Sequence, residues 1–281
     1  EQRDIGTSLV GRLRGVLFAS RWIRSACRAA SAIRTVTPGA RDFLVEVAGS
    51  WVDDRMSIET LAFDPGRSFF DNELRTSFRV QHGLDPYVVI GVSGQYNQSK
   101  KIEVIVRAFR AGSRPDQRLL LFGKFLDTDY KERVLNECAS DDRIILSDAL
   151  MDEEELNTFF NGIDYALWTS PTISYFEALA TGARILVPYG RGTSHLDHPS
   201  IQFYGKSGGI SPDKTRIEDD NVIEAELTQL LQSLSAYDRE ADQENRAEHT
   251  ARFGAPGVVA RLRDTYEALV AAAPTPSPHP Q

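Results

Sequence analysis

Residues 163–188 read Ile-Asp-Tyr-Ala-Leu-Trp-Thr-Ser-Pro-Thr-Ile-Ser-Tyr-Phe-Glu-Ala-Leu-Ala-Thr-Gly-Ala-Arg-Ile-Leu-Val-Pro, and this stretch indicates the fold class. The apolar run Tyr165–Trp168 is too short for a buried helix, and a Ser-Pro pair follows it closely. Arg184–Val187 is aliphatic and is closed by Pro188. Both runs therefore predict buried β-strands.

One short helix fits between these strands. Ser174 and Glu177 have the spacing of a capping box, and Gly182 stands where a left-handed residue would end the helix after Ala180 or Thr181. A right-handed crossover of this size joins parallel strands and places the helix N-terminus, with its unpaired N–H groups, at the carboxyl edge of the sheet. Open α/β sheets bind ligands at that edge.

The preceding residues show a regular alternation of strands and helices, which predicts an α/β, Rossmann-like parallel sheet with helices on both faces. The predicted strands are Tyr87–Val92, Arg118–Phe122 and Arg143–Leu146, and the predicted helices are Lys100–Ala111, Asp129–Cys138 and Asp152–Asn161, the last with an Asp152/Glu155 cap. After Pro188 the pattern weakens: Gly190–Gly209 is loop-rich, and helices are predicted at Asn221–Leu234 and Pro256–Val270.

The composition is that of an ordinary globular chain. It has 281 residues, 41% hydrophobic and 26% charged, with no apolar run of the roughly 18 residues that cross a bilayer and no secretory leader. The two cysteines, Cys27 and Cys138, are too few for a disulfide framework or a metal site, so we expect a cytoplasmic protein. Because the chain begins at Glu1 rather than methionine, we expect a fragment.

Charge is distributed unevenly along the chain. Residues 1–41 contain eight arginines against Glu1 and Asp4, a net charge of +6, so the remainder carries −14 of the total of −8. An acidic body argues against nucleic-acid binding. Residues 7–30 predict a basic amphipathic helix, which either packs on a neighbouring domain or makes peripheral contact with anionic lipid at the inner face of the membrane.

The segment Glu177-Ala-Leu-Ala-Thr-Gly-Ala-Arg-Ile-Leu-Val resembles the donor-site signature of retaining glycosyltransferases of the GT-B fold, especially family 4. That signature contains two glutamates, of which the second holds the ribose of a nucleotide-sugar. The resemblance implies this role for Glu177. The first glutamate is replaced by Thr169, and the family's Gly-Phe-Gly loop has no clear counterpart.

The turn Val92–Lys101 follows a strand and opens a helix, a position where backbone N–H groups, a glycine and a lysine can bind a diphosphate. It resembles the family's Gly-Arg-x…Lys-Gly turn, which implies donor contacts from Gly94 and from Lys100 or Lys101. The family's arginine is replaced by Gln95. Lys124 and Arg191 are the cations proposed to compensate.

The residues before the short helix form the other half of the predicted site. Thr172, Ile173 and Ser174, with Ser170, lie where hydroxyl and N–H groups meet a phosphate, although the same residues also suit an ordinary loop and cap. Ser147–Leu150 resembles the family's segment that holds the base by its backbone.

Two further patterns are weak metal motifs. His195-Leu196-Asp197-His198 lacks the additional ligands of a zinc site and is interpreted as a loop. Asp127-Thr128-Asp129 is interpreted as a turn and helix cap. We therefore expect no metal and no cofactor.

The resemblance also implies a domain division. Residues 1–63 would be a remnant of the acceptor-side domain and linker, with a strand at Ala32–Thr37, a helix that opens at Pro38 and a strand Met56–Phe63 that leads into the linker. Residues 64–250 would be the nucleotide-sugar domain, 251–273 a C-terminal helix and 274–281 a disordered tail. The family's acceptor-side histidine would precede Glu1, so the fragment alone should not turn over.

The implied reaction is transfer of a hexose from a UDP- or GDP-sugar to a carbohydrate or lipid-linked acceptor, with retention. The alternatives are a non-catalytic partner or scaffold of the same fold with a degenerate donor site, a sugar-nucleotide epimerase, and a phosphate-binding α/β protein unrelated to sugars. Fold likeness alone does not separate them.

Overall fold

The computed structural model describes residues 20–59, 61–170, 172–190, 193–196, 198–205, 219–236, 239 and 242–272. Within these ranges the chain forms two compact units. Leu61–Arg261 is the larger unit, and the residues before it combine with those from Leu262 onward to form the smaller one. Residues 7–19 of the predicted basic helix and the tail 274–281 lie outside the described residues.

The smaller unit contains two short parallel strands and their helices. Its elements are helix α1 at residues 20–29, β1 Ile33–Thr35, α2 Pro38–Ala48, a 3-10 helix Ser50–Arg55, β2 Met56–Ile58 and the second half of α10 Ala255–Ala272. Thr37 caps α2 by accepting a hydrogen bond from the Ala40 N–H, and Pro38 occupies the first turn, as predicted. The family-based strand Met56–Phe63 is wrong beyond Ile58, where pairing with β1 ends.

The larger unit contains a parallel sheet of six strands in the order β5-β4-β3-β6-β7-β8 among the described residues. Its strands are β3 Val88–Tyr96, β4 Gln117–Phe125, β5 Ile144–Ser147, β6 Tyr165–Leu167, β7 Arg184–Pro188 and β8 Ile201–Tyr204. Its α-helices are α3 Asn72–Gln81, α4 Ile102–Gly112, α5 Thr128–Cys138, α6 Glu153–Gly162, α7 Ser174–Ala180, α8 Asp220–Ser233, α9 Gln243–Phe253 and the first half of α10, and a 3-10 helix at Gln98–Lys100 precedes α4.

Both faces of this sheet are buried, which explains why its strands are continuously apolar. Val88, Ile90 and Val92 of β3 point into a core built with α4, α5 and α8. Val89 of the same strand joins a second core with α3, α6, α7 and α9. The predicted Rossmann-like α/β class is therefore confirmed.

Several boundaries differ from the sequence prediction. β3 continues to Tyr96, so the predicted turn starting at Val92 is still strand, and α4 begins at Ile102 rather than Lys100. β8 lies inside the segment predicted to be loop-rich. α3 and α9 were not predicted. α9 buries only His249 and Phe253 among its side chains, so its sequence shows little apolar periodicity.

The order of the strands creates one crevice of interest. The chain passes from β3 outward to β4 and β5, and then crosses to β6 on the other side of β3. The connections after β3 and β6 therefore lead in opposite directions. This topological switch point is where open α/β sheets bind ligands.

Candidate functional site

Lys100 and the residues after β6 meet at the switch point. The Lys100 Nζ donates to the Ser170 Oγ at 2.9 Å, and the Thr169 Oγ1 donates to the Lys100 carbonyl oxygen at 2.7 Å. Thr169 and Ser170 are both buried, while Lys100 is half-buried. The structure thus joins the loop after β3 to the loop after β6, and it brings together residues that are 70 positions apart.

The end of β6 is anchored on both sides. The Trp168 Nε1 donates to the Ser93 carbonyl oxygen of β3 at 3.3 Å, and the Tyr204 hydroxyl of β8 donates to the Trp168 carbonyl oxygen at 2.8 Å. The Tyr175 hydroxyl of α7 donates to the Ser170 carbonyl oxygen at 2.7 Å. These bonds fix the backbone that carries the predicted phosphate-binding residues.

Helix α7 does not begin as predicted. Its N-cap is Ile173, which offers no side-chain cap, and Ser174 is already the first helical residue, so the Ser174/Glu177 capping box is wrong. The Ser174 N–H instead donates to the Thr172 Oγ1 at 3.3 Å. The predicted stop is confirmed: α7 ends at Ala180, and Gly182 has φ +79°.

Glu177 is half-buried on α7. Burial raises the pKa of its carboxyl above 4.5, and a hydrogen bond with Ser174 acts in the opposite direction. Such a carboxylate favours a ligand that replaces its lost hydration with hydroxyl donors.

The carboxyl end of β3 presents backbone rather than cations. Gly94 has φ +116° and is exposed, and Gln95 is exposed beside it. In register with them on β4 lie Gly123 and Lys124. A Cβ at Gly123 would collide with the Gly94 carbonyl oxygen, so the two strands approach closely here. The side chain that would stand in for the family's arginine is thus an uncharged amide.

Lys101 is turned away from Lys100. It is the N-cap of α4 with φ +50°, and its Nζ bonds to the Asp220 Oδ1 of α8. Its left-handed backbone is unusual for a residue with a side chain. The structure therefore places Lys100, but not Lys101, against the loop after β6.

Lys124 is also engaged, in a cluster beyond the ends of β4 and β5. Asp148 lies 2.7 Å from the Lys131 Nζ and 3.4 Å from the Lys124 Nζ, and it accepts from the Phe125 N–H. The Lys131 contact, that N–H and Lys124 lower the pKa of Asp148 to about 2. Arg191 lies outside the described residues.

The segment proposed for the base borders a cavity. Ser147 and Ala149 line a space of about 350 Å³ together with Phe122, Phe159 and His82. This cavity lies beside β4 and β5, at the carboxyl edge of the sheet, where Lys100 also lies.

The two weak metal motifs have other contacts. The Asp127 Oδ1 accepts from the Tyr130 N–H at 2.7 Å and caps α5, as the sequence indicated. The His198 Nδ1 accepts from the Ser200 N–H at 3.1 Å, and Asp197 lies outside the described residues. Across the described ranges, no three His, Cys, Asp or Glu side chains are arranged to hold a metal ion.

Sequence reasoning missed the contribution of Thr169. In the sequence, Thr169 was identified only as the residue that replaces a glutamate. In the structure, its hydroxyl joins the loop after β6 to the loop after β3. The signal available was a run of hydroxyl residues directly after a buried strand.

No family model and no curated protein match the chain. Solved structures do. HepE from Anabaena, in complex with UDP and glucose, matches with a TM-score of 0.65 at 15% identity over 92% of this chain and 67% of HepE. A glycosyltransferase from Rickettsia africae matches with a TM-score of 0.65 at 10% identity, over 90% and 67% of the two chains.

A third match is the catalytic domain of starch synthase IV from Arabidopsis thaliana, bound to ADP and acarbose. Its TM-score is 0.59 at 12% identity, over 89% of this chain and 58% of that domain. The chain therefore has the fold of GT-B glycosyltransferases, which confirms the fold that the sequence resemblance implied. Among the helices described, none is both long and apolar enough to cross a membrane.

Proposed function

We propose that the larger unit is the donor-binding domain of a glycosyltransferase and binds a nucleoside-diphosphate hexose at the switch point. The observation that carries this proposal is the convergence of Lys100 and Ser170 on the crevice between β3 and β6. The solved structures of HepE with UDP and with UDP-glucose support it, since they concern a protein of the same fold.

The proposed roles follow from the chemistry of each side chain. Lys100 neutralises the diphosphate, assisted by the N–H groups and hydroxyls of Thr172, Ile173 and Ser174. Glu177 accepts hydrogen bonds from the ribose hydroxyls. Gly94 leaves room for the close approach of the donor, because it carries no side chain.

Because Gln95 is uncharged, we expect weaker donor binding and slower transfer than with an arginine at this position. A departing nucleoside diphosphate accumulates negative charge, and fixed cations stabilise it. A charge-assisted hydrogen bond contributes about 1.5–3 kcal/mol, so an amide at this position makes donor binding weaker than an arginine would. The site then depends strongly on Lys100.

The remaining parts of the proposal concern the whole reaction. We propose retention at the transferred carbon, UDP or GDP as the carrier, a carbohydrate or lipid-linked acceptor, and no metal or cofactor. We further propose a cytoplasmic enzyme, with peripheral contact to the inner face of the membrane through the basic residues of the helix predicted at residues 7–30.

Calorimetric titration with UDP, GDP and their hexose conjugates tests the donor site. We expect saturable binding of one diphosphate, weakened about ten-fold or more by Lys100→Gln and at least several-fold by Glu177→Gln. Matched controls are Arg133→Gln and Glu132→Gln, which remove the same charges from exposed positions on α5. Equal affinity in Lys100→Gln and Arg133→Gln would refute a diphosphate site at Lys100.

A transfer assay addresses the main alternative. Saturable donor binding without hydrolysis or transfer, by this chain and by a longer chain containing the acceptor side, would indicate the non-catalytic partner. Conversion of UDP-N-acetylglucosamine to an epimer would indicate the epimerase.

A further inference from the structure

The carbonyl of Lys100 occupies an unusual position in the turn before α4. The first helical hydrogen bonds, from the N–H groups of Val104 and Ile105, go to the Lys101 carbonyl oxygen. Lys101 itself has φ +50°. The Lys100 carbonyl therefore lies just outside the helical ladder, and it accepts its hydrogen bond from the Thr169 hydroxyl at 2.7 Å.

The side chain of Lys100 is held by the next residue of the same loop. Its Nζ donates to the Ser170 Oγ at 2.9 Å, while the Ser170 carbonyl is held by the Tyr175 hydroxyl. Two consecutive hydroxyl residues thus bind the two ends of one lysine, Thr169 its backbone and Ser170 its amine. Both are buried, with 8% and 7% of their surface exposed.

A lysine amine on a flexible four-carbon stem loses considerable rotamer entropy when a ligand orders it. A lysine whose backbone and amine are fixed beforehand loses less, and ligand affinity rises accordingly.

We infer that Thr169 is a positioning residue that holds Lys100 at the switch point for the diphosphate of the donor, with Ser170 directing the amine. This inference rests on the proposed function, since it assigns Lys100 to a diphosphate. Thr169 acts through Lys100 and does not itself contact the donor.

The test uses Thr169→Val, which removes the hydroxyl at nearly constant shape, and Thr169→Ser, which keeps it. The first readout is the Kd for UDP by calorimetry. The second is the rate of acetylation of the Lys100 amine, measured by mass spectrometry against that of Lys131 in the same molecule. The second readout does not depend on nucleotide binding.

We expect Thr169→Val to weaken UDP binding at least three-fold and to accelerate acetylation of Lys100 several-fold relative to Lys131. Thr169→Ser should restore both values. A general loss of stability would lower the melting temperature and accelerate both lysines together, so an unchanged ratio of the two rates would overturn the inference.

The two proposals fail in different ways. If Lys100→Gln binds UDP as tightly as the unaltered chain, the proposed function fails, and the acetylation ratio still shows whether Thr169 holds Lys100. If Lys100→Gln weakens binding but Thr169→Val does not, only the positioning role is wrong. Should Thr169→Val not fold, Ser170→Ala provides the second test, and it must raise the Lys100/Lys131 acetylation ratio.

Discussion

At the scale of single residues, the ionised carboxylate of Glu177 lowers the stability of the fold at neutral pH when no ligand is bound. Burial raises the pKa of its carboxyl, so the folded state holds the proton more tightly than the unfolded state does. The stability that comes from holding this proton in the folded state is therefore fully present below pH 4.5, the pKa of the unfolded chain. It is lost as the pH rises through the higher pKa of the folded state. We expect Glu177→Gln to melt at a higher temperature than the unaltered chain at pH 7, and not at pH 4.

The same substitution should weaken binding of a nucleotide-sugar, because an amide is a poorer acceptor than a carboxylate for two ribose hydroxyls. Thermal melts at both pH values, with Glu132→Gln as the exposed control, measure the first effect. A gain of stability at pH 7 together with a loss of affinity is the pattern expected of a ligand-binding residue. A loss of stability at pH 7 would contradict it.

His249 makes the larger unit sensitive to acid. It is 1% exposed, its Nε2 lies 2.9 Å from the Phe176 carbonyl oxygen, and its ring stacks on Phe63. Burial lowers its pKa from 6.5 to about 4. The stability that depends on the neutral ring is present above pH 6.5 and is lost as the pH falls through about 4.

A pKa difference of this size corresponds to roughly 3 kcal/mol of unfolding free energy. Denaturant titrations between pH 4 and 7 should show this loss in the unaltered chain. His249→Gln retains a hydrogen-bond donor and does not titrate, so its stability should fall less over the same interval. Parallel pH profiles for the two proteins would show that another group is responsible.

At the scale of elements, the start of α6 is fixed by local chemistry. The Asp152 Oδ1 accepts from the Glu155 N–H, and the Glu155 carboxylate accepts from the Asp152 N–H, both at 2.9 Å. This capping box satisfies two helix donors that would otherwise lack partners. We expect Asp152→Ala to lower the unfolding free energy by about 1 kcal/mol, measured with denaturant. Glu154 is the residue next to Glu155 and is not part of the capping box, so Glu154→Ala should change the unfolding free energy much less.

This element also shows what the sequence could predict. The α6 cap, the Pro38 start of α2 and the Gly182 end of α7 depend on neighbours within a few residues, and all three were predicted correctly. α9 could not be predicted, because its sequence is polar and only tertiary packing on α7 makes it a helix.

The candidate site was predictable in part for the same reason. Family resemblance and strand ends identified Lys100 and Ser170, but their contact depends on the order of β3 and β6 in the sheet. The failed cap at Ser174 has a local cause, since Thr172 already accepts the N–H that begins the turn. The sequence alone does not indicate which of two nearby hydroxyl residues accepts such an N–H.

At the scale of the whole larger unit, Asp164 joins elements that are distant in sequence. It is 3% exposed and accepts from the Arg75 Nη2 at 2.6 Å and the Arg79 Nη1 at 3.3 Å, both on α3. Its Oδ2 also accepts from the Val89 N–H of β3 at 2.8 Å. The carboxylate thus fixes α3 against the two strands that border the switch point.

Removing the Asp164 carboxylate takes a buried anionic partner from both Arg75 and Arg79, while the ion pair of Arg79 with the more exposed Asp85 remains. We expect Asp164→Ala to lower the unfolding free energy by about 3–5 kcal/mol, since Arg79 is 6% exposed and would lose its buried partner. Asp116→Ala is the matched control, because its pairing with Arg114 lies at the surface and should contribute no more than about 1 kcal/mol. If both variants lose the same small amount of stability in denaturant titrations, the network does not hold α3 in place. A large loss confined to Asp164→Ala would show that the amino ends of β3 and β6 depend on this carboxylate.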